Sequence, residues 1–302
     1  MGKSIVNISF ILIIVFSNSC KQENGKFESK NDFKFVFITD IHLQNELNAT
    51  DGFIKAIDSI NKINPDFVIT GGDLVMDVAN QTFERSDSLF NLYSTISKKI
   101  KMPIFNTIGN HDVFGYYKEC GIKKNHPEFG KKMFEHRIGK TYYRFQHKNW
   151  QFFILDAIEI TDSFNYAGKI DSVQVLWLKN QLDSIDENSP IVIVTHMPFI
   201  TTFLQVIDNP MLANNETLVV QNSKQVLELF KNHNLKLVLQ GHTHFFEDIF
   251  VNNIRFITSG AICGKWWKGS NFGTEEGFIL FDFSDNSFTY NYIDYGWKTE
   301  LQ

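Results

Sequence analysis

The chain has 302 residues, enough for one large domain or two small ones and for a substantial buried core. With 43% hydrophobic and 21% charged residues it has globular composition, which excludes a disordered polymer, and its 30 phenylalanines demand extensive burial. A formal net charge of −5 and a pI near 6.0 argue against nucleic-acid binding, which calls for a basic stripe, but allow a small anion held through a metal.

The chain opens with Lys3 and an apolar run from Ile5 to Phe16, then the small residues Ser17-Asn18-Ser19 and Cys20. A run this short reads as a signal peptide over 1–20 and not as a membrane span. Small residues ahead of a Cys resemble a bacterial lipoprotein signal, which implies that Cys20 is lipidated and becomes the first mature residue. The protein is then exported, to the periplasm or cell envelope, and meets the membrane through a lipid anchor. The plainer alternative is a secretory signal with an incidental Cys. Residues 21–32 are polar and read as a flexible tether. Export would permit a disulfide between Cys120 and Cys263, but two unpaired buried thiols are the expectation.

From residue 33 onward, strands and helices alternate without a Pro- or Gly-rich linker, so 33–302 reads as one catalytic domain. Lys34–Thr39 (KFVFIT) is a buried strand that stops at Asp40. Residues 52–63 have helical spacing, with Ile54, Ile57, Ile60 and Ile63 on one face. Phe67–Thr70 is a strand stopping at Gly71-Gly72-Asp73, 82–100 a helix, and 103–108 a strand stopping at Gly109-Asn110-His111-Asp112. Residues 141–146 and 150–156 read as a hairpin, 173–185 as an amphipathic helix, and 191–195 as a strand ending on His196. A helix over 225–230 precedes a strand over 235–240 that ends on Gly241-His242-Thr243-His244. Hairpins over 248–259, turning at Asn252-Asn253, and over 277–294 complete the chain. Such alternation predicts an α/β fold whose sites lie beyond the carboxyl ends of parallel strands, where the polar clusters should converge.

Those clusters carry carboxylates and imidazoles, a donor set suited to Mn, Fe, Zn or Co. The two-residue spacing in Asp40-x-His42 and His242-x-His244 lets both side chains leave an extended segment on one side. The series DIH (40–42), GGD (71–73), GNHD (109–112), THMP (195–198) and GHTH (241–244) resembles the calcineurin-like metallophosphoesterase family over roughly residues 34–260.

The resemblance implies two facing mixed β-sheets flanked by helices, with two divalent or trivalent metal ions at one edge. One metal would take Asp40, His42 and His244, and the other Asn110, His196 and His242. Asp73 would bridge them, because a carboxylate can share its oxygens between cations. The implied reaction is hydrolysis of a small phosphate ester, diester or monoester, by attack of a hydroxide between the metals. His111, beside a ligand but without a metal of its own, becomes the candidate general acid, with Asp112 fixing its ring. His126, His136, His147 and His233 fall in no motif and read as surface or structural.

Purple acid phosphatases carry a Tyr ligand where this chain has Met76, and protein phosphatases carry GDxVDRG and GNHE in place of GGDLVMD and GNHD. DIHL and GNHD look more like the branch containing cyclic-nucleotide and other small phosphodiesterases. Lys265, Trp266, Trp267 and Lys268 are candidate substrate contacts, through stacking and phosphate pairing; alternatively the two Trp plug the sheet edge. Residues 201–220 form either a lid or a surface excursion. Two readings compete with a small-ester hydrolase: a non-catalytic binding module on the same fold, and phosphatase action on a macromolecule such as a lipid or surface polymer, suggested only by the proposed lipid anchor.

Overall fold

The computed structural model describes residues 30–299; the expected signal segment, Cys20 and its lipid, and residues 21–29 of the tether lie outside the described residues. In chain order the elements are β1 (Phe33–Ile38), α1 (Ala49–Ile63), β2 (Phe67–Thr70), α2 (Phe83–Ser97), β3 (Ile104–Phe105), α3 (Lys132–Arg137), β4 (Tyr143–His147) and β5 (Trp150–Ile154). There follow β6 (Ile158–Ile160), β7 (Tyr166–Gly168), α4 (Ser172–Leu182), β8 (Ile191–Val194), α5 (Phe203–Ile207), α6 (Ser223–Leu229) and β9 (Leu235–Gln240). The chain closes with β10 (Glu247–Val251), β11 (Ile254–Thr258), β12 (Gly277–Phe283) and β13 (Phe288–Asp294).

The strands build one sheet ordered β13-β12-β1-β2-β3 and another ordered β10-β11-β9-β8-β5-β4, with β6 and β7 paired separately. β1, β2 and β3 run parallel, as do β5, β8, β9 and β11, while β4, β10, β12 and β13 pair antiparallel. This is the mixed two-sheet architecture that the motifs implied.

Period-two alternation separates two apolar layers. Phe33, Phe35, Phe37, Phe67, Ile69, Phe152, Ile154, Val192, Val194, Leu237 and Leu239 meet between the sheets, and Phe281 and Phe283 join them from β12. The intervening residues Val36, Ile38, Val68, Phe153, Ile191 and Ile193 face outward into the layer that the helices cover. Much of the chain's Phe is thus spent on the inter-sheet layer, where each fully buried ring contributes roughly 1.5–3 kcal/mol. Phe35 stacks on Phe67 and Phe281 at centroid distances of 5.1 and 4.9 Å.

The helix ends follow local chemistry. Thr82 accepts the Arg85 amide at the start of α2, and Asp171 accepts the Gln174 amide at the start of α4. Asn64, in the left-handed region, terminates α1 just before Pro65. β3 is only two residues long, shorter than the 103–108 expected, and pairs at the sheet's edge with Val68 and Ile69 alone. Beyond it, Asn106 turns its side-chain oxygen to Tyr93. β6, β7 and α3 have no periodic signature in the sequence, and no expectation covered them. No helix among the described residues is long and apolar enough to cross a membrane.

Candidate metal centre

Both sheets point the carboxyl ends of their parallel strands to one edge, and all five motifs meet there. The loops after β1 and β2 zip together beyond the sheet: the Asp40 amide donates to Gly72 O, and His42 N to Asp73 O, each at 3.0 Å. Asp40, His42, Asp73, His242 and His244 all have positive φ, between 45° and 75°. The Asp-x-His and His-x-His pairs are therefore not extended segments, as their spacing alone suggested. Each residue bends the chain so that its side chain turns back toward the centre. Holding non-glycine residues there costs about 1–2 kcal/mol each, a strain that folded surroundings sustain at functional sites. Gly241 is required by close approach: a Cβ at this position would lie 2.2 Å from Thr39 Oγ1 and 2.7 Å from Asp40 Oδ2.

The donors fall into two groups. In the first, Nε2 of His42 and Nε2 of His244 lie 3.1 Å apart, with Asp40 Oδ1 at 3.8 and 3.2 Å from them and Asp73 Oδ2 at 3.5 Å from His42. In the second, His196 Nε2 lies 3.2 Å from His242 Nδ1, 3.0 Å from Asn110 Oδ1 and 3.2 Å from Asp73 Oδ2. Asp73 Oδ2 thus belongs to both groups, while its Oδ1 accepts the His111 amide at 2.9 Å. Asp40 is fixed in the same way, its Oδ2 accepting from Thr39 Oγ1 and from the His242 amide.

The outer nitrogen of every ring donates to a backbone carbonyl: His42 Nδ1 to Met76, His196 Nδ1 to Gly71, His244 Nδ1 to Gly264 and His242 Nε2 to Thr217. Those bonds fix four tautomers and leave four lone pairs aimed inward. Bare nitrogens 3.1–3.2 Å apart repel unless a cation or proton lies between them. The arrangement therefore fits two metal ions, each with carboxylate and imidazole donors. Proton affinities show the same conflict. Burial lowers all four imidazoles; Asp73 nevertheless raises His196 to about 9, and Cys263 and Asp40 hold His244 well up. Their partners are denied protons: burial takes His42 to about 3, and burial with the neighbouring His196 takes His242 to about 4. Burial pushes Asp73 up, but the charges on His196 and His111 outweigh it and hold the carboxyl well below its usual range.

His111 lies at the rim, its side chain 26% exposed, with Nδ1 3.4 Å from Asp77 Oδ1. Burial opposes a proton on it, while Asp73 and Asp77 favour one and raise it overall. The expectation that Asp112 fixes this ring is not met. Asp112 is fully buried, and its oxygens accept the amides of Leu74, Val75 and Gly109 at 2.9, 3.2 and 2.9 Å. The 3₁₀ turn over Asn110–Asp112 points it back into the loop. Burial and the Asp73 charge push its carboxyl up to about 7, against the amides that hold it down. Sequence adjacency favoured Asp112; Asp77, four residues past the bridging acid, carries no motif signal but faces the ring.

The two tryptophans divide between the readings. Trp266 is half-buried over the centre, its ring 4.1 Å from that of His42 and 5.2 Å from that of His111. Trp267 is a core residue, as in the plug reading: it is 1% exposed, donates through Nε1 to His42 O, and packs where a side chain on Gly52 would collide with it. Lys265 is exposed and lines the cleft, whereas Lys268 is exposed but does not line it. Residues 201–220 are more than an excursion. They supply the carbonyl that holds His242 and wall a cleft of about 460 Å³ with Phe203, Leu204, Asn215 and Leu218, opposite Tyr166, Lys265 and Trp266. Cys120 and Cys263 are both free thiols.

Residues 33–246 match the family model of the calcineurin-like phosphoesterases. A probable cyclic nucleotide phosphodiesterase of Xenorhabdus bovienii is 23% identical over 265 residues, 83% of this chain and 96% of that protein. A dimetal phosphatase of Danio rerio shares the fold with a TM-score of 0.61 at 14% identity, covering 87% of this chain and 96% of its own. GAP50, the anchor in the inner membrane complex of Plasmodium, superposes with a TM-score of 0.57 at 17% identity over 90% of this chain and 87% of its own. With the family model spanning most of the sequence and the motifs converging on one centre, the chain belongs to the calcineurin-like phosphoesterase family.

Proposed function

We propose that this metal-dependent phosphoesterase acts on small phosphodiesters. The observation that carries the reading is the pair of four-donor groups sharing one oxygen of Asp73. Asp40, His42, Asp73 and His244 would hold one cation, and Asp73, Asn110, His196 and His242 the other. Two cations bound there supply positive charge to the phosphoryl oxygens and acidify water enough for attack at neutral pH. His111 donates the proton that the departing oxygen needs, and Asp77 favours the charged form of its ring. Trp266 closes one side of the cleft and restricts the approach of bulk water.

Charge favours the diester. A monoester carries two negative charges and a diester one, and no arginine reaches this centre. Arg85 pairs with Glu46, Arg137 with Asp87 and Glu128, and Arg255 with Asp248, while Arg144 donates to Gln181 and Ser184. The Xenorhabdus relative, described as acting on cyclic nucleotides, points the same way. The binding-module alternative draws on the same fold serving as an anchor in Plasmodium. Retention of every donor together with His111 favours the enzyme. Residues 1–20 add the proposal of export with a lipid on Cys20, which the mass of the mature N-terminal peptide tests.

The purified protein, loaded with Mn²⁺ or Zn²⁺, should hydrolyse bis(p-nitrophenyl) phosphate and cyclic nucleotides faster than p-nitrophenyl phosphate. Two metals bound with no hydrolysis of any ester would support the binding module; faster turnover of the monoester would remove the diester assignment.

A further inference from the structure

Two loops that wall the catalytic cleft carry large exposed hydrophobic side chains. Val206 is 63%, Met211 89%, Leu212 38% and Phe272 59% exposed. The first three lie on the 201–220 segment and the fourth on the 264–274 loop, the two segments that flank the mouth of the catalytic cleft. Phe272 packs edge-on against Phe203 at 5.7 Å, so the two loops touch through aromatic rings. From there the apolar lining runs inward through Phe203, Leu204 and Leu218 to Trp266, beside the ligands His242 and His244.

We propose that this continuous apolar path receives a hydrocarbon chain, making the substrate an amphiphilic phosphodiester with an alkyl or acyl tail; the inference rests on the phosphoesterase reading above. Exposed apolar clusters of this kind are costly in water and mark binding surfaces. Continuity with the centre identifies the occupant, because whatever fills the mouth must also place a phosphate at His242 and His244. Lys265, on the cleft wall, is set to meet the anionic part of such a molecule. The segment carrying most of the patch is held in position: the Thr202 amide and hydroxyl donate to Glu247, Asn214 donates to Thr201 O, and Gly168 N donates to Glu216 O. The mouth is therefore formed in advance.

The test uses p-nitrophenyl alkyl phosphates from ethyl to octyl, held below their aggregation concentrations, and calorimetric binding of ethyl- and octylphosphonate. Burial of each methylene should raise kcat/KM by roughly two- to fourfold, and octylphosphonate should bind at least tenfold more tightly than ethylphosphonate. A variant combining Leu204→Ser and Phe272→Ser, both on the cleft wall, should flatten both trends with its metal content unchanged. Hydrolysis with no dependence on chain length, or a preference for a purine ester over the octyl ester, would overturn the inference and leave the phosphodiesterase reading intact. If no ester is turned over, that reading fails instead, and the phosphonates decide the apolar mouth alone: equal affinities reject it.

Discussion

Replacing Asp112 by Asn tests which carboxylate serves the loop and which serves His111. Asp112 spends one oxygen on Leu74 and Val75 and the other on Gly109, all within a fully buried turn. Asparagine keeps one oxygen. In its better orientation it still satisfies Leu74 and Val75 but turns an NH₂ group toward the Gly109 amide. Two buried donors then face each other, at a cost of roughly 2–5 kcal/mol. For a chain of this size the midpoint of thermal unfolding should fall by about 5–15 °C. Because Gly109 immediately precedes Asn110, metal binding should weaken with it. Urea or thermal unfolding of wild type and variant, with metal analysis, reads both effects. A variant of wild-type stability whose rate profile has lost its high-pH limb, the one set by a general acid, would refute this account and return Asp112 to the His111 ring.

His111→Ala should leave metal content unchanged and lower the rate by about 10²–10⁴ on alkyl esters, but far less on nitrophenyl esters, whose leaving group needs no proton. Equal losses on both would make the residue a phosphate contact instead. Asp77→Asn should shift the pH dependence of turnover, leaving unfolding within about 0.5 kcal/mol of wild type, as expected for a partly exposed side chain. Gly241→Ala should displace Asp40 through its new Cβ and preferentially empty the site held by Asp40, His42 and His244, as metal titration would show. Asp73→Ala should release both metals and abolish activity with the fold largely retained; two metals per chain in this variant would disprove the shared ligand.

The central strands were readable from sequence because they are short, nearly continuous apolar runs buried on both faces, as in Phe33 to Ile38, and the ligands because they stop those runs. What lay hidden depended on turns. Left-handed Asp40 and His42 look like any strand extension in one dimension. Asp112 and Trp267 each sit beside a site residue in sequence, yet their side chains turn into backbone and core. Asp77 and Thr217 reach the centre from loops whose return path no periodicity records. Helix α4 kept its expected stripe, with Leu178 and Leu182 buried and Val175 packed against the core, while Val173 and Leu176, off that stripe, stay outside at 67% and 60% exposure.

Each donor group draws on both sheets: His244 from one joins Asp40, His42 and Asp73 from the other, and His196 with His242 joins Asp73 and Asn110. A cation held there is consequently a clasp across the open edge of the sandwich, linking segments some 200 residues apart in the chain, His42 and His244 among them. Its binding energy adds to folding stability by mass action. Starved of metal, the molecule should become a better protease substrate at that edge, and ligand mutations should reduce its abundance in the cell as well as its turnover. Metal supply would then govern how much of this protein survives, and not only how fast it works.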